Sequence, residues 1–197
     1  MKMISFGIAA IILAAGRASR MGRDKRILPV NGVPMVLRAV AAAHDAGLAP
    51  VVVVTGPEGL DLLPEAVVEI RNPAPERGMA SSLALGVDAL PCEAAAAVVL
   101  LADMPKVTAA HVVALAAAFA PENGHDICVP VFQGRRGNPV LLGRRFFAGM
   151  RGLEGDKGAR GLIQAHAEAV LEVVMADDGV LIDVDTPEAL AALEAMP

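Results

Sequence analysis

A chain of 197 residues, 55 % hydrophobic and 20 % charged, holds enough apolar material for one sizeable core, and its length suits a single α/β domain over residues 1–197 better than two. The net charge of −5, with five Phe and neither Trp nor Tyr, excludes a large nucleic-acid surface, which needs many exposed cations and stacking aromatics. No apolar run approaches the roughly 20 residues a membrane span needs, and Cys92 and Cys128, without C-x-x-C spacing, read as buried thiols of a cytoplasmic protein.

The first predicted element is the apolar run Gly7 to Leu13, a buried strand. Lys2, the stretch from Ile4 and the small residues Ala14-Ala15-Gly16 also have the outline of a secretory leader and its cleavage site. The strand is preferred, because the residues after it complete a coherent loop. The backbone N–H groups of Ala14, Ala15 and Gly16 can approach an anion closely. Arg17, Arg20, Arg23, Lys25 and Arg26 then place five positive charges in ten residues against the single acid Asp24. Small residues and then cations at a strand exit form the layout of a triphosphate site. It is not a Walker A loop, since five residues separate Gly16 from Gly22 and Arg23 comes next. Nor is it a dinucleotide fingerprint, since position 14 is alanine and neither 18 nor 19 is glycine.

Pro34 to Gly47 reads as a helix and Pro50 to Val54 as a strand ending in the turn Thr55-Gly56-Pro57. A strand at Val67 to Ile70, a helix at Ser81 to Leu90, a strand at Ala96 to Ala102 and a helix from its N-cap Thr108 to Phe119 come next. Ile127 to Phe132 and Asn138 to Leu142 read as strands around a loop, Val170 to Val174 and Leu181 to Val184 as further strands, and Pro187 to Ala195 as the last helix. This alternation predicts a three-layer, Rossmann-like α/β fold with a mostly parallel, doubly wound sheet, whose ligands bind beyond the C-terminal ends of the strands.

Asp103 stands at such an exit, and Pro105 ends the strand. A carboxylate there beside a triphosphate is a natural Mg²⁺ ligand. Asp183 and Asp185 share one face if their segment is a strand; alternatively Asp185 or Thr186 caps the last helix, with Pro187 at its first position. Asn72-Pro73 and Gly78-Met79-Ala80-Ser81-Ser82-Leu83 have the composition of a helix start, and Gly152 to Gly161 that of a turn before a short helix. His44, His111, His125 and His166 show neither zinc-like nor triad-like spacing and read as structural or surface residues.

Leu13 to Lys25 resembles the nucleotidyltransferase signature Leu-Ala-Ala-Gly-x-x-x-Arg-Met-Gly-x-x-Lys at every fixed position. The chain is therefore similar to the molybdopterin nucleotidylyltransferases, a MobA/MocA-like NTP transferase family. Asp103-Met104-Pro105 and Asp183-Val184-Asp185-Thr186-Pro187-Glu188 look like the family's acidic motifs, which implies Mg²⁺ on Asp103 and Asp185, or on Asp183 in place of Asp185. The resemblance also implies catalytic roles for Arg20, Lys25 and Asp103, and nucleotide contacts at Leu13, Ala14, Ala15, Gly16, Asn72, Gly78, Ser81 and Ser82. Gly134 to Pro139 and Gly155 to Arg160 resemble acceptor-side motifs, implicating Asn138, Asp156, Lys157 and Arg160.

Ala14-Ala15-Gly16 and Ser81-Ser82-Leu83 resemble the molybdenum cofactor cytidylyltransferases; the guanylyltransferase branch tends toward Leu-Ala-Gly-Gly in the first loop. The implied reaction joins CMP from CTP to the terminal phosphate of molybdopterin and releases pyrophosphate, with transient contact to a molybdenum hydroxylase. The alternatives are GMP transfer, another phosphorylated acceptor such as a sugar phosphate, or a non-enzymatic nucleotide-binding protein that delivers cofactor.

Overall fold

The computed structural model describes residues 7–16, 27–156 and 158–194. In chain order the elements are β1 (Ile8–Ala14), β2 (Pro29–Val30), β3 (Val33–Pro34), α1 (Met35–Asp45), β4 (Val51–Thr55), β5 (Val68–Arg71), α2 (Met79–Asp88) and β6 (Ala96–Leu101). They continue with α3 (Ala109–Ala118), β7 (Ile127–Phe132), β8 (Arg135–Arg136), β9 (Val140–Gly143), α4 (Phe147–Arg151), α5 (Arg160–Ala165), β10 (Val170–Val174) and α6 (Pro187–Glu194).

The main sheet runs in the order β10-β7-β9-β6-β1-β4-β5, with β8 attached to β7. β6, β1, β4 and β5 are mutually parallel, as are β7 and β10, whereas β9 lies antiparallel between β6 and β7. The expected mostly parallel sheet is present, with β9 reversed at its heart and the two-residue β8 also antiparallel to β7. Consecutive side chains of β1 face opposite sides, as strand geometry requires. Ile8, Ala10, Ile12 and Ala14 join one core cluster with residues of α1 and α3. Ile11 and Leu13 join another with Leu83 and Val87 of α2 and Met150 of α4. Helices therefore cover both faces, which keeps a parallel sheet free of water. Each fully buried aliphatic chain contributes about 1.5–3 kcal/mol, so these two clusters are the main source of stability.

Chain order along the sheet explains where a ligand fits. From β1 the chain moves out through β4 to β5, then returns to β6 on the other side of β1. The crevice at that reversal, at the C-terminal ends of β1 and β6, is the usual ligand position in such sheets.

Three expectations need correction. Leu181 to Val184 is not a strand: Asp178–Leu181 forms a 3₁₀ turn, capped by the Asp177 carboxylate accepting the Gly179 N–H at 2.8 Å. The backbone beyond it crosses the sheet edge instead of running along a strand, donating Val184 N–H to the Asp103 carbonyl at 2.9 Å. Asp183 and Asp185 therefore owe their placement to this crossing and not to strand register. The helix expected from Ser81 starts two residues earlier, at Met79. Cys92 is exposed, because it lies in the surface turn between α2 and β6; only Cys128 is buried.

Candidate active site

β1 and β6 deliver their C-terminal residues to one cavity of about 500 Å³. Leu13, Ala14, Ala15 and Gly16 form one wall, and Leu101, Ala102 and Asp103 another. The two exits are tied by the Ala102 N–H donating to the Leu13 carbonyl at 3.2 Å. The third wall is the start of α2, with Gly78, Met79 and Ser82, joined by Asp156. Small residues at 14 to 16 leave their backbone close to the cavity, and Asp103 adds a half-buried carboxylate.

The segment carrying Asp185 reaches the same place through the Val184–Asp103 backbone bond. Val184 also packs with Val30, Met35 and Leu193 in a small third core, so the chain leaving the phosphate-loop region and the chain around Asp185 share one support. Thr186 Oγ1 accepts the Ala189 N–H at 3.2 Å and so caps α6. Two carboxylates, Asp103 and Asp185, thus come from two strand-edge segments joined by one hydrogen bond. Hard oxygen donors of this kind suit Mg²⁺ or Mn²⁺, with the remaining ligands left to phosphate and water.

Across the wall formed by Leu13, Met79, Leu101 and Asp156 lies a second cavity of about 650 Å³. Its floor is apolar, from Val99, Val129, Val140 and Ile163, and its rim carries Arg136, Asn138, Arg160 and Gln164.

Of the residues expected to bind nucleotide, Leu13 to Gly16, Gly78 and Ser82 meet in the first cavity with Asp103. Asn72 and Ser81 instead line a third cavity behind α2, although Ser82 connects the two sides. The buried Asn72 amide donates to Ser81 Oγ and Ser82 Oγ, each at 2.9 Å, and its carbonyl accepts the Ala74 N–H at 2.9 Å. It thereby fixes the start of α2. Among the expected acceptor residues, Asn138, Asp156 and Arg160 meet in the second cavity. Arg20, Lys25 and Lys157 lie outside the described residues. The sequence reading missed Met79 and Leu101, which separate the two cavities, and Arg136. Arg136 Nε donates to Glu172 Oε1 at 2.7 Å, so its guanidinium at the second cavity is already ion-paired.

The family model of the MobA-like NTP transferase domain matches residues 10–170. Purine catabolism protein PucB of Bacillus subtilis is 34 % identical over 198 residues, covering 92 % of this chain and 93 % of PucB. This chain belongs to the MobA-like NTP transferase family. A molybdenum cofactor guanylyltransferase of Xanthomonas euvesicatoria is 39 % identical to the transferase over 100 residues, 51 % of this chain and 49 % of that one. The crystal structure of Rv0371c from Mycobacterium tuberculosis shares the fold, with a TM-score of 0.83 at 23 % identity over 96 % of this chain and 98 % of that one. Rv0371c also has a structure in complex with manganese, with a TM-score of 0.78 at 23 % identity over 97 % of this chain and all of that one. The transferase is thus a nucleotidyltransferase enzyme of this family. These relatives do not carry the cytidylyl assignment expected from the first loop.

Proposed function

We propose that this enzyme transfers CMP from CTP to the terminal phosphate of a molybdopterin-type acceptor with release of pyrophosphate. The observation that supports the reading is the cavity shared by the β1 loop and Asp103, with the Asp185 segment bonded to the Asp103 backbone, beside a second cavity with apolar residues and Arg160 and Asn138 in its lining.

The acceptor needs no general base. A phosphomonoester has a second pKa of about 6 and is already largely dianionic at neutral pH. The barrier is electrostatic: two unit negative charges 4 Å apart cost about 4 kcal/mol at an effective dielectric of 20. Catalysis is therefore charge neutralisation and in-line alignment.

Asp103 and Asp185 are the residues to hold Mg²⁺. When bound, the ion supplies positive charge against the phosphate oxygens. The N–H groups of Ala15 and Gly16 orient the β- and γ-phosphates, and Arg20 and Lys25 hold the leaving pyrophosphate. Arg160 and Asn138 orient the acceptor, while Leu13, Met79 and Leu101 keep water from the space between the substrates.

CTP is supported by the resemblance of Ala14-Ala15-Gly16 and Ser81-Ser82-Leu83 to the cytidylyl branch. GTP is the second reading, favoured by the guanylyltransferase relative that matches half of this chain. Pyrophosphate release with Mg²⁺, molybdenum cofactor and each of the four NTPs separates them. Release with CTP alone supports the proposal, release with GTP alone transfers it to the guanylyl branch, and silence with all four rejects the acceptor. Contact with a molybdenum hydroxylase is part of the same proposal, and co-purification with an apo-hydroxylase tests it.

A further inference from the structure

The backbone that brings Asp185 to Asp103 is anchored at its far end by a buried histidine. His111, in the first turn of α3, is only 4 % exposed. Its backbone and ring form a capping box with Thr108, in which Nδ1 accepts the Thr108 N–H at 3.1 Å. Because Nδ1 is an acceptor there, the neutral ring carries its proton on Nε2. Nε2 lies 3.1 Å from Asp177 Oδ1, the oxygen that also caps the 178–181 turn.

Two further bonds hold the backbone beyond Asp177. Asn138 N–H donates to the Val180 carbonyl at 2.9 Å, and Val184 N–H to the Asp103 carbonyl at 2.9 Å. Residues 177–184 are thus a strap with three hydrogen-bonded fastenings and two buried side chains, Val180 and Val184, the next residue being Asp185. Of the three fastenings, the one to His111 is made by side chains alone and starts the strap.

We propose that His111 is a positioning residue for the second metal carboxylate, holding the strap through Asp177 so that Asp185 is presented beside Asp103. The proposal rests on the reading of Asp103 and Asp185 as the metal pair. Partners bonded directly to a metal ligand commonly govern metal affinity about 10–100-fold; His111 acts from farther away, through Asp177 and a strap with two other fastenings, so about tenfold is the ceiling for its effect.

The test is Mn²⁺ binding, followed by electron paramagnetic resonance with CTP and with GTP in parallel, alongside thermal melts. His111→Asn places an amide oxygen where Nδ1 accepts the Thr108 N–H but does not reach Asp177. His111→Gln offers an N–H near the Nε2 position. Asp177→Ala removes the other partner and, with it, the acceptor of the Gly179 N–H that caps the 178–181 turn, so its loss should equal or exceed that of His111→Asn. The expected result is a loss of up to about tenfold in Mn²⁺ affinity for His111→Asn, at least as large a loss for Asp177→Ala, no loss in the double variant beyond that of Asp177→Ala, and partial recovery in His111→Gln. Asp185→Asn is the control on the underlying reading. If it weakens Mn²⁺ while Asp177→Ala does not, the positioning role is overturned whatever His111→Asn does to folding. If Asp185→Asn itself binds Mn²⁺ as wild type, the metal-pair reading falls, and the proposal with it.

Discussion

Gly78 is the position where one methyl group should separate the two halves of the site. Its φ of +92° with ψ of 176° lies in a region open essentially to glycine alone, and a side chain held there costs about 1–3 kcal/mol. The added Cβ would also sit 2.6 Å from the Gly155 carbonyl and 2.6 Å from Asp156 Oδ1, distances that backbone cannot absorb. Relief requires the 155–156 turn to withdraw. That breaks two bonds fastening it to α2: Met79 N–H to Asp156 Oδ1 at 3.3 Å and Ala80 N–H to the Gly155 carbonyl at 3.0 Å. At about 1 kcal/mol each, these bring the total for Gly78→Ala to roughly 3–5 kcal/mol, or about 10 °C in melting temperature for a chain of this size. Since Asp156 belongs to the wall between the cavities, the affinities for nucleotide and acceptor should fall together. Circular dichroism melts and calorimetric titration with each substrate read both effects. A variant melting within about 2 °C of wild type would refute the claim that glycine is required here for close approach.

Asp103→Ala retains the backbone carbonyl that receives Val184 N–H and should lower Mg²⁺-dependent pyrophosphate release at least about a hundredfold. Unchanged release would remove Asp103 from the metal site. Lys25→Ala is expected to weaken CTP binding far more than cytidine binding, and equal losses in a calorimetric comparison would count against a phosphate role. Burial, with the Asp126 carboxylate adding to it, pushes the Cys128 thiol up to about 12, whereas Cys92 is exposed. Iodoacetamide at pH 8 should therefore add one group to the folded protein, at Cys92, and two additions by intact mass would show Cys128 to be accessible.

β7 and β10 fall on the expected Ile127–Phe132 and Val170–Val174 to the residue, because a compact apolar run closed by turn residues has few other places to go. Leu181 to Val184 has the same composition but pairs with no strand among the described residues, so its polar backbone is satisfied by single bonds to loops. The β2–β3 hairpin was missed although its signal was plain. Val30-Asn31-Gly32-Val33 has the Asn-Gly pair that two-residue turns favour, and both residues take positive φ, 50° and 78°. At the site, Asp103 was legible because a carboxylate ending an apolar strand is conspicuous. The His111–Asp177 contact was not, since neither residue type is unusual where it stands and only the fold brings them together.

Strand direction, which residue patterns do not encode, decides the shape of the second cavity. β7 ends at the same sheet edge as β1 and β6, and a parallel successor would require a crossover returning the chain to the opposite edge. β9 instead runs back antiparallel, with Val140 opposite Val99 near the end of β6. The whole connection 133–139 therefore stays at the ligand-binding edge, and Arg136 and Asn138 reach the second cavity without any intervening helix. A Cβ on Gly137 would lie 2.1 Å from the Val180 carbonyl, so this connection also abuts the strap that leads to Asp185. The reversal at β9 thus links Asn138, the strap and Asp103 through the Asn138–Val180 and Val184–Asp103 backbone bonds.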